Sequence, residues 1–229
     1  MTTPLILLPG MMCDERLFAP QAVQLPVTVL PIGHADNMAT LAKSVLDAAP
    51  ERFALGGLSM GGIVVMEVIR QAPDRVAGIA LMDTNPLAEL PDVQARRGPQ
   101  MAKAANGALL DVMRDEMKPN YLTDGPKRAE ILDLCMTMAM DLGPDVFINQ
   151  SKALRDRSDQ SATLRAFTKP ALVMCGREDK LCPVARHELM HQLMPQSTLC
   201  IIENAGHLPT LEQPQQATEA LRAWLQEID

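Results

Sequence analysis

The stretch GGLSMGG, residues 56–62, decides how this chain is read. It contains Gly-x-Ser-x-Gly as Gly57-Leu58-Ser59-Met60-Gly61. RFALGGLS before it (52–59) reads as a short buried strand. MGGIVVMEVIRQAP after it (60–73) reads as a helix that is apolar nearly all round at its start, hence central and buried. A serine at such a strand-to-helix turn is held in a strained backbone conformation. Side chains two residues before or after it would collide, and Gly57 and Gly61 remove that bulk. The turn lifts the hydroxyl above the carboxyl ends of the strands, where open α/β sheets place their ligands. It also puts the backbone N–H of Met60 at a helix N-terminus, aimed where an oxyanion would form.

The flanking sequence has the matching rhythm. PLILLPG (4–10), VTVLPIG (27–33) and VAGIALMD (76–83) are apolar runs without alternation, as in strands of a parallel sheet covered on both faces. In NMATLAKSVLDAAPE (37–51), Met38, Leu41, Ala42, Val45, Leu46 and Ala49 keep helical spacing. Between about Pro86 and Lys169 the alternation stops. Helices are predicted over 91–106, 107–118, 126–141 and 144–157, punctuated by Gly107, Gly125-Pro126 and Gly143-Pro144. It then resumes with ALVMCGRED (171–179) as strand, CPVARHELMHQLMP (182–195) as helix and STLCIIENAG (197–206) as strand. In the last helix (212–228), Leu221, Trp224, Leu225 and Ile228 line one face. The expected fold class is α/β, a mostly parallel doubly wound sheet. Residues 1–85 and 169–229 form its core, and a helical cap, 86–168, is inserted after the strand ending near Asp83.

Composition removes several function classes. A chain of 229 residues that is 47% hydrophobic suits one such domain with an insertion. The formal net charge of -7 argues against a nucleic-acid partner, which would need a basic face. No apolar run reaches the roughly 18 residues of a transmembrane helix. MTTPLILLPG lacks a basic leader and reads as a strand rather than a signal peptide, so a cytoplasmic location is expected. The five cysteines are scattered without C-x-x-C, which suggests neither disulfides nor a cysteine metal site.

A serine needs a base. Of four histidines, His207 in ENAGHLPTLEQP lies after the last strand and before the last helix, over the same sheet edge as Ser59. The carboxylate should come from a strand end between them, and Asp179 in CGREDKLCP follows the penultimate strand. The order Ser59, Asp179, His207 is the one expected for a triad on this scaffold. Asp83, in LMDTNP, also ends a strand and is the second choice, more suited to capping the turn into the insertion.

With these residues in place the whole chain resembles the α/β-hydrolase superfamily. LLPGMMCDERLF (7–18) resembles its first oxyanion loop, with Pro9 where histidine is usual. The resemblance implies that the residue after the glycine, Met11, donates a second oxyanion N–H beside Met60. LPIGHADN (30–37) resembles a turn usually written G-H-G-x-S, with Ala35 for the second glycine and His34 as a structural residue. Within the superfamily the chain is similar to small bacterial carboxylesterases of the pimeloyl-carrier-protein methyl ester esterase type. The expected activity is hydrolysis of esters with small to medium, largely apolar acyl groups by acyl-enzyme chemistry, without cofactor or metal. A thioesterase, perhydrolase or lyase could use the same triad, and a non-catalytic ligand-binding homologue is the rival of another class. The oligomeric state is left open.

Two features compete with that reading. HELMH (187–191) fits the zinc-protease pattern H-E-x-x-H. On a helical wheel, however, Ala185, Leu189, Met190, Leu193 and Met194 share one face. His187, Glu188 and His191 are predicted on the opposite, solvated side, and no third ligand is placed. The chain also carries 16 methionines. Those in the cap (Met101, Met113, Met117, Met136, Met138, Met140) and near the nucleophile (Met11, Met12, Met60) suggest either ordinary core packing or a soft, adaptable acyl pocket. Residues 88–168 hold twelve acidic and eleven basic side chains, so an acidic carrier protein is not favoured as partner.

Overall fold

The computed structural model describes residues 3–228. Six strands, β1 (Leu5–Leu8), β2 (Val27–Val29), β3 (Phe53–Leu58), β4 (Val76–Met82), β5 (Ala171–Gly176) and β6 (Thr198–Ile202), form one sheet in the order β2-β1-β3-β4-β5-β6. Every pairing is parallel, so the sheet expected to be mostly parallel is wholly so among the described strands. The four inner strands are buried at every residue, which is why their sequences show no alternation. The edge strands β2 and β6 are only partly covered.

The helices in chain order are α1 (Ala19–Ala22), α2 (Met38–Ala48), α3 (Met60–Gln71), α4 (Pro91–Lys103), α5 (Leu109–Asp111), α6 (Arg128–Arg155), α7 (Ser161–Ala166), α8 (Val184–Leu193), α9 (Pro209–Glu212) and α10 (Pro214–Ile228). Alternate strand residues feed two cores. Ile6, Leu8, Ile79, Leu81 and Val173 pack on one face with Leu41 and Val45 of α2, Val64 and Val68 of α3, and Met190 of α8. Leu5, Leu7, Ala80, Met82 and Leu172 pack on the other with Phe18 and with Leu221 and Trp224 of α10.

The chain runs from β1 outward to β2, then returns across β1 to build β3 through β6 on the other side. The loops leaving β1 and β3 therefore diverge. That switch point opens a crevice at the carboxyl edge of the sheet. Met11 and Ser59 stand on its two walls.

Between β4 and β5 the described chain is helical. Gly107 and Gly143, two of the predicted breakpoints, have φ of 87° and 79°. At Gly143-Pro144 one long element, α6, kinks where two helices are expected from the sequence. α8 departs from its wheel. Ala185 is exposed, whereas His187 is 0% exposed. The expectation that the HELMH histidines face solvent is therefore wrong for His187, and only Glu188 is exposed. The cause is a polar partner above the sheet, described below. Among the described residues no helix is long and apolar enough to cross a membrane.

Candidate active site

Ser59 stands between β3 and α3, with φ 54° and ψ -115°. Close approach rather than φ forces the flanking glycines. A Cβ on Gly57 would overlap the backbone of Gly61, and one on Gly61 would overlap the carbonyl of Leu8. The elbow is pinned from three sides. The Ser59 N–H donates to Met82 O at 2.8 Å, continuing the β3–β4 ladder up to the serine. Thr84 Oγ1 donates to the Ser59 carbonyl at 2.7 Å. The backbone N–H of Thr84 in turn donates to His187 Nε2 at 3.1 Å. That bond takes His187 out of solvent. Its ring must be neutral with the proton on Nδ1, and burial lowers its pKa from 6.5 to about 4.

His207 Nε2 stands 2.9 Å from Ser59 Oγ, and His207 Nδ1 stands 2.8 Å from Asp179 Oδ2. The three residues singled out from the sequence are thus joined in one hydrogen-bonded line, with His207 and Asp179 buried. Asp179 Oδ1 accepts the N–H groups of Leu181 and Cys182 at 2.8 and 3.0 Å. Burial alone would raise the Asp179 carboxyl. The His207 imidazole and these N–H donors outweigh it and bring the pKa to about 2. The loops carrying acid and base are stitched together, Glu178 N–H to Ala205 O at 3.0 Å.

Asp83 does not reach His207. It is fully buried at φ 45°, with Oδ1 accepting the Gly176 N–H at 2.9 Å. Burial, and then the neighbouring Asp179 carboxylate, push its pKa well up. A neutral Asp83 carboxyl beside an ionised Asp179 resolves the pair, because two carboxylates in contact cannot both accept. The expected turn-capping role is replaced by this contact behind the line.

Several contributors have no motif. Glu212 holds the histidine loop, its Oε2 accepting from Gly206 N–H at 2.9 Å and Leu208 N–H at 3.2 Å, and its Oε1 from Thr123 N–H at 2.9 Å. The His207 N–H donates to Tyr121 O at 2.7 Å, and the Tyr121 ring meets the imidazole edge-on at 5.5 Å. Gln150 Oε1 on α6 accepts the Met12 N–H at 2.9 Å and so braces the loop after β1. The N–H groups of Met11 and Met60 are taken by no loop, cap or side-chain hydrogen bond among the described residues. Met11 lines the cavity over Ser59, and Met60 follows Ser59 as the first residue of α3.

A cavity of about 740 Å³ opens over Ser59 and His207. Its apolar wall includes Met11, Ile63, Val93, Met117, Tyr121 and Leu154. A groove of about 840 Å³ between residues 123–131 and 204–219 contains none of the three, so Ser59 rather than size assigns the substrate space. The methionines divide between the two readings. Met11 and Met117 line the cavity, but Met136, Met138 and Met140 do not. Met138 is wholly buried in the core that holds Leu221 and Trp224, Met136 packs against the core on the other face of the sheet, and Met140 is exposed. His34 bonds Ser44 Oγ of α2 at 2.8 Å, away from the site.

Among the described residues, the three-member group able to hold a metal is Asp179, Cys182 and His207, not HELMH. Its carboxylate and imidazole already bond each other, and burial pushes the Cys182 thiol well up, away from the thiolate a metal needs. His191 Nδ1 is paired with Ser197 Oγ at 2.8 Å.

A serine on a tight elbow at the switch point of a parallel sheet, bonded to histidine and aspartate from later strand ends, defines a hydrolase scaffold. The model of the Alpha/beta hydrolase family matches residues 8–221, and the chain belongs to that family. It is 26% identical to a biotin biosynthesis bifunctional protein of Cellvibrio japonicus over 97% of this chain but 47% of that protein, so it spans about half of that relative's length. It is 25% identical to a pimeloyl-acyl-carrier-protein methyl ester esterase of Xanthomonas oryzae pv. oryzae, over 98% of this chain and 95% of the other. Among solved structures, a thermophilic esterase from Thermogutta terrifontis with malate bound is similar with a TM-score of 0.90. The identity is 27%, covering 99% of this chain and 90% of that one.

Proposed function

We propose that the chain hydrolyses carboxylic esters by acyl-enzyme chemistry at Ser59. The observation that carries this reading is the continuous line Asp179–His207–Ser59, with contacts of 2.8 and 2.9 Å, at the foot of a cavity with one apolar wall. Ser59 Oγ attacks the ester carbonyl while His207 Nε2 takes its proton. Asp179 holds the imidazole by Nδ1 and stabilises the imidazolium. The N–H groups of Met11 and Met60 receive the oxyanion, each worth about 3 kcal/mol of barrier at such a position. His207 then gives the proton to the leaving alkoxide, and the acyl-enzyme is hydrolysed by water in the mirror sequence. The segment 86–168 acts as the lid over this site and sets which acyl groups enter. The esterase names of the Xanthomonas and Thermogutta proteins support an ester over an amide.

A fluorophosphonate probe tests the reading. The folded wild type should be labelled and hydrolyse p-nitrophenyl esters, and Ser59→Ala should do neither. Unlabelled, folded wild type would leave a ligand-binding scaffold instead of an enzyme.

A further inference from the structure

The net charge of the chain is -7, yet its cavity is lined by five cationic side chains against two carboxylates. The local balance is more positive than that ratio, because both carboxylates are already engaged. Glu116 is taken by Lys103, at 2.7 Å, and Lys103 lies outside the lining. Glu89, buried, is shared by two buried guanidiniums. Arg97 Nε approaches its Oε2 at 2.6 Å, and Arg157 Nη1 its Oε1 at 2.7 Å. One carboxylate for two guanidiniums leaves this buried group with a net positive charge. The other three lining cations, Arg96, Lys180 and Arg186, have no carboxylate partner among the described residues.

Arg97 is the part of the group that touches the loop after β1. Its Nη1 faces Met11 Sδ at 3.8 Å, a weak acceptor on the loop assigned to the oxyanion. A guanidinium whose forward-facing nitrogen meets only a thioether has donors to spare. Burying an excess positive charge is costly unless an anion completes the pairing. A planar fork of N–H donors is matched by a carboxylate.

We infer that the substrate carries a carboxylate besides its ester: a half-ester of a dicarboxylic acid, whose apolar chain crosses the cavity and whose free carboxylate pairs with Arg97. The inference rests on the ester-hydrolase reading above and narrows its substrate class. The ester carbonyl sits at Ser59, the methylenes lie along Ile63, Val93 and Met117, and the rim cations Arg96, Lys180 and Arg186 draw the anion in.

The test compares monomethyl esters of straight-chain dicarboxylic acids with uncharged methyl esters of equal chain length. In wild type, kcat/KM should favour the half-ester by about 10- to 100-fold, the worth of a hydrogen bond to a charged group. Raising the salt concentration should reduce that preference, and Arg97→Met should bring the ratio towards one. The triple change Arg96→Gln, Lys180→Gln, Arg186→Gln alters only the rim and should lower kcat/KM and its salt dependence for the half-ester alone. Free glutarate should compete with the substrate better than inorganic phosphate. Equal turnover of both ester types by wild type would overturn the inference and leave the hydrolase reading standing, provided the fluorophosphonate still labels Ser59. Parallel losses for both esters in Arg97→Met, tracking a lower Tm, would reduce the Glu89 group to a brace for the lid. Stronger competition by phosphate would rule out the carboxylate. If no ester is turned over, titration calorimetry with glutarate still reads the anion site on its own, and an absence of binding there sinks it.

Discussion

At the scale of single residues, the chain places two aspartates side by side and gives them opposite protonation states. Asp179 accepts from His207, Leu181 and Cys182 and is ionised. Asp83 has the Gly176 N–H and otherwise faces that charge, so it holds its proton. Asp179→Asn removes the charge that orients and stabilises the imidazolium, and kcat on a p-nitrophenyl ester should fall by roughly 10³ to 10⁴. Asp83→Asn replaces a neutral acid by a neutral amide of the same shape, at a φ of 45° that asparagine tolerates. Its cost should be about tenfold or less, near 1.4 kcal/mol of barrier. Reversed magnitudes would make Asp83 the partner of His207. Ser59, Asp179 and His207 could be read from the sequence because each stands in a local context: an elbow, a strand end, a loop before the last helix. The protonation of Asp83 could not, since it depends on a neighbour 96 positions away.

At the scale of elements, α8 shows how a motif can be legible and misleading. HELMH has the spacing of a zinc site, yet His187 Nε2 is spent on the Thr84 N–H, and Thr84 clamps the elbow carbonyl. α8 therefore supports the serine through one buried, neutral imidazole. The stability consequence has a definite sign. The folded pKa, about 4, lies below the unfolded 6.5, so the unfolded chain binds the proton first. The contribution is intact above about pH 6.5 and is lost as pH falls towards 4, by at most about 3 kcal/mol. Asp179 is lost in a separate window, between its unfolded 3.8 and about 2. Urea unfolding at pH 7 and pH 5 should show wild type losing about 2 kcal/mol more than His187→Gln over that step. Parallel losses would assign the acid sensitivity elsewhere. The kink of α6 was legible, because Gly143-Pro144 announces a break and Gly143 takes φ 79°.

At the scale of the whole molecule, the sheet order opens the crevice, and residues of the helical segment between β4 and β5, among them Val93, Met117 and Leu154, line the cavity there. Methionine content cannot tell which side chains turn inward to that space. Met117 lines the cavity while Met138 is sealed in the core with 0% exposure. Met138→Ala should lower stability by about 2 to 5 kcal/mol and leave the preferred ester chain length alone. Met117→Ala should cost less stability and move the preference in kcat/KM towards longer chains. A shift of preference in Met138→Ala, with none in Met117→Ala, would mean that the cavity is misassigned.

The sequence by itself determined the parallel α/β core, the elbow and the three residues that meet at it. Each follows from local rules: apolar runs for buried strands, glycines where the backbone crowds, turn residues at strand ends. Only the tertiary structure decided what stands behind and above that line. The Asp83 contact, the His187–Thr84 clamp, the Glu212 cage and the Arg97–Glu89–Arg157 group all join residues from different elements. Their burial and charge are set by which elements pack together, and no short-range pattern encodes that.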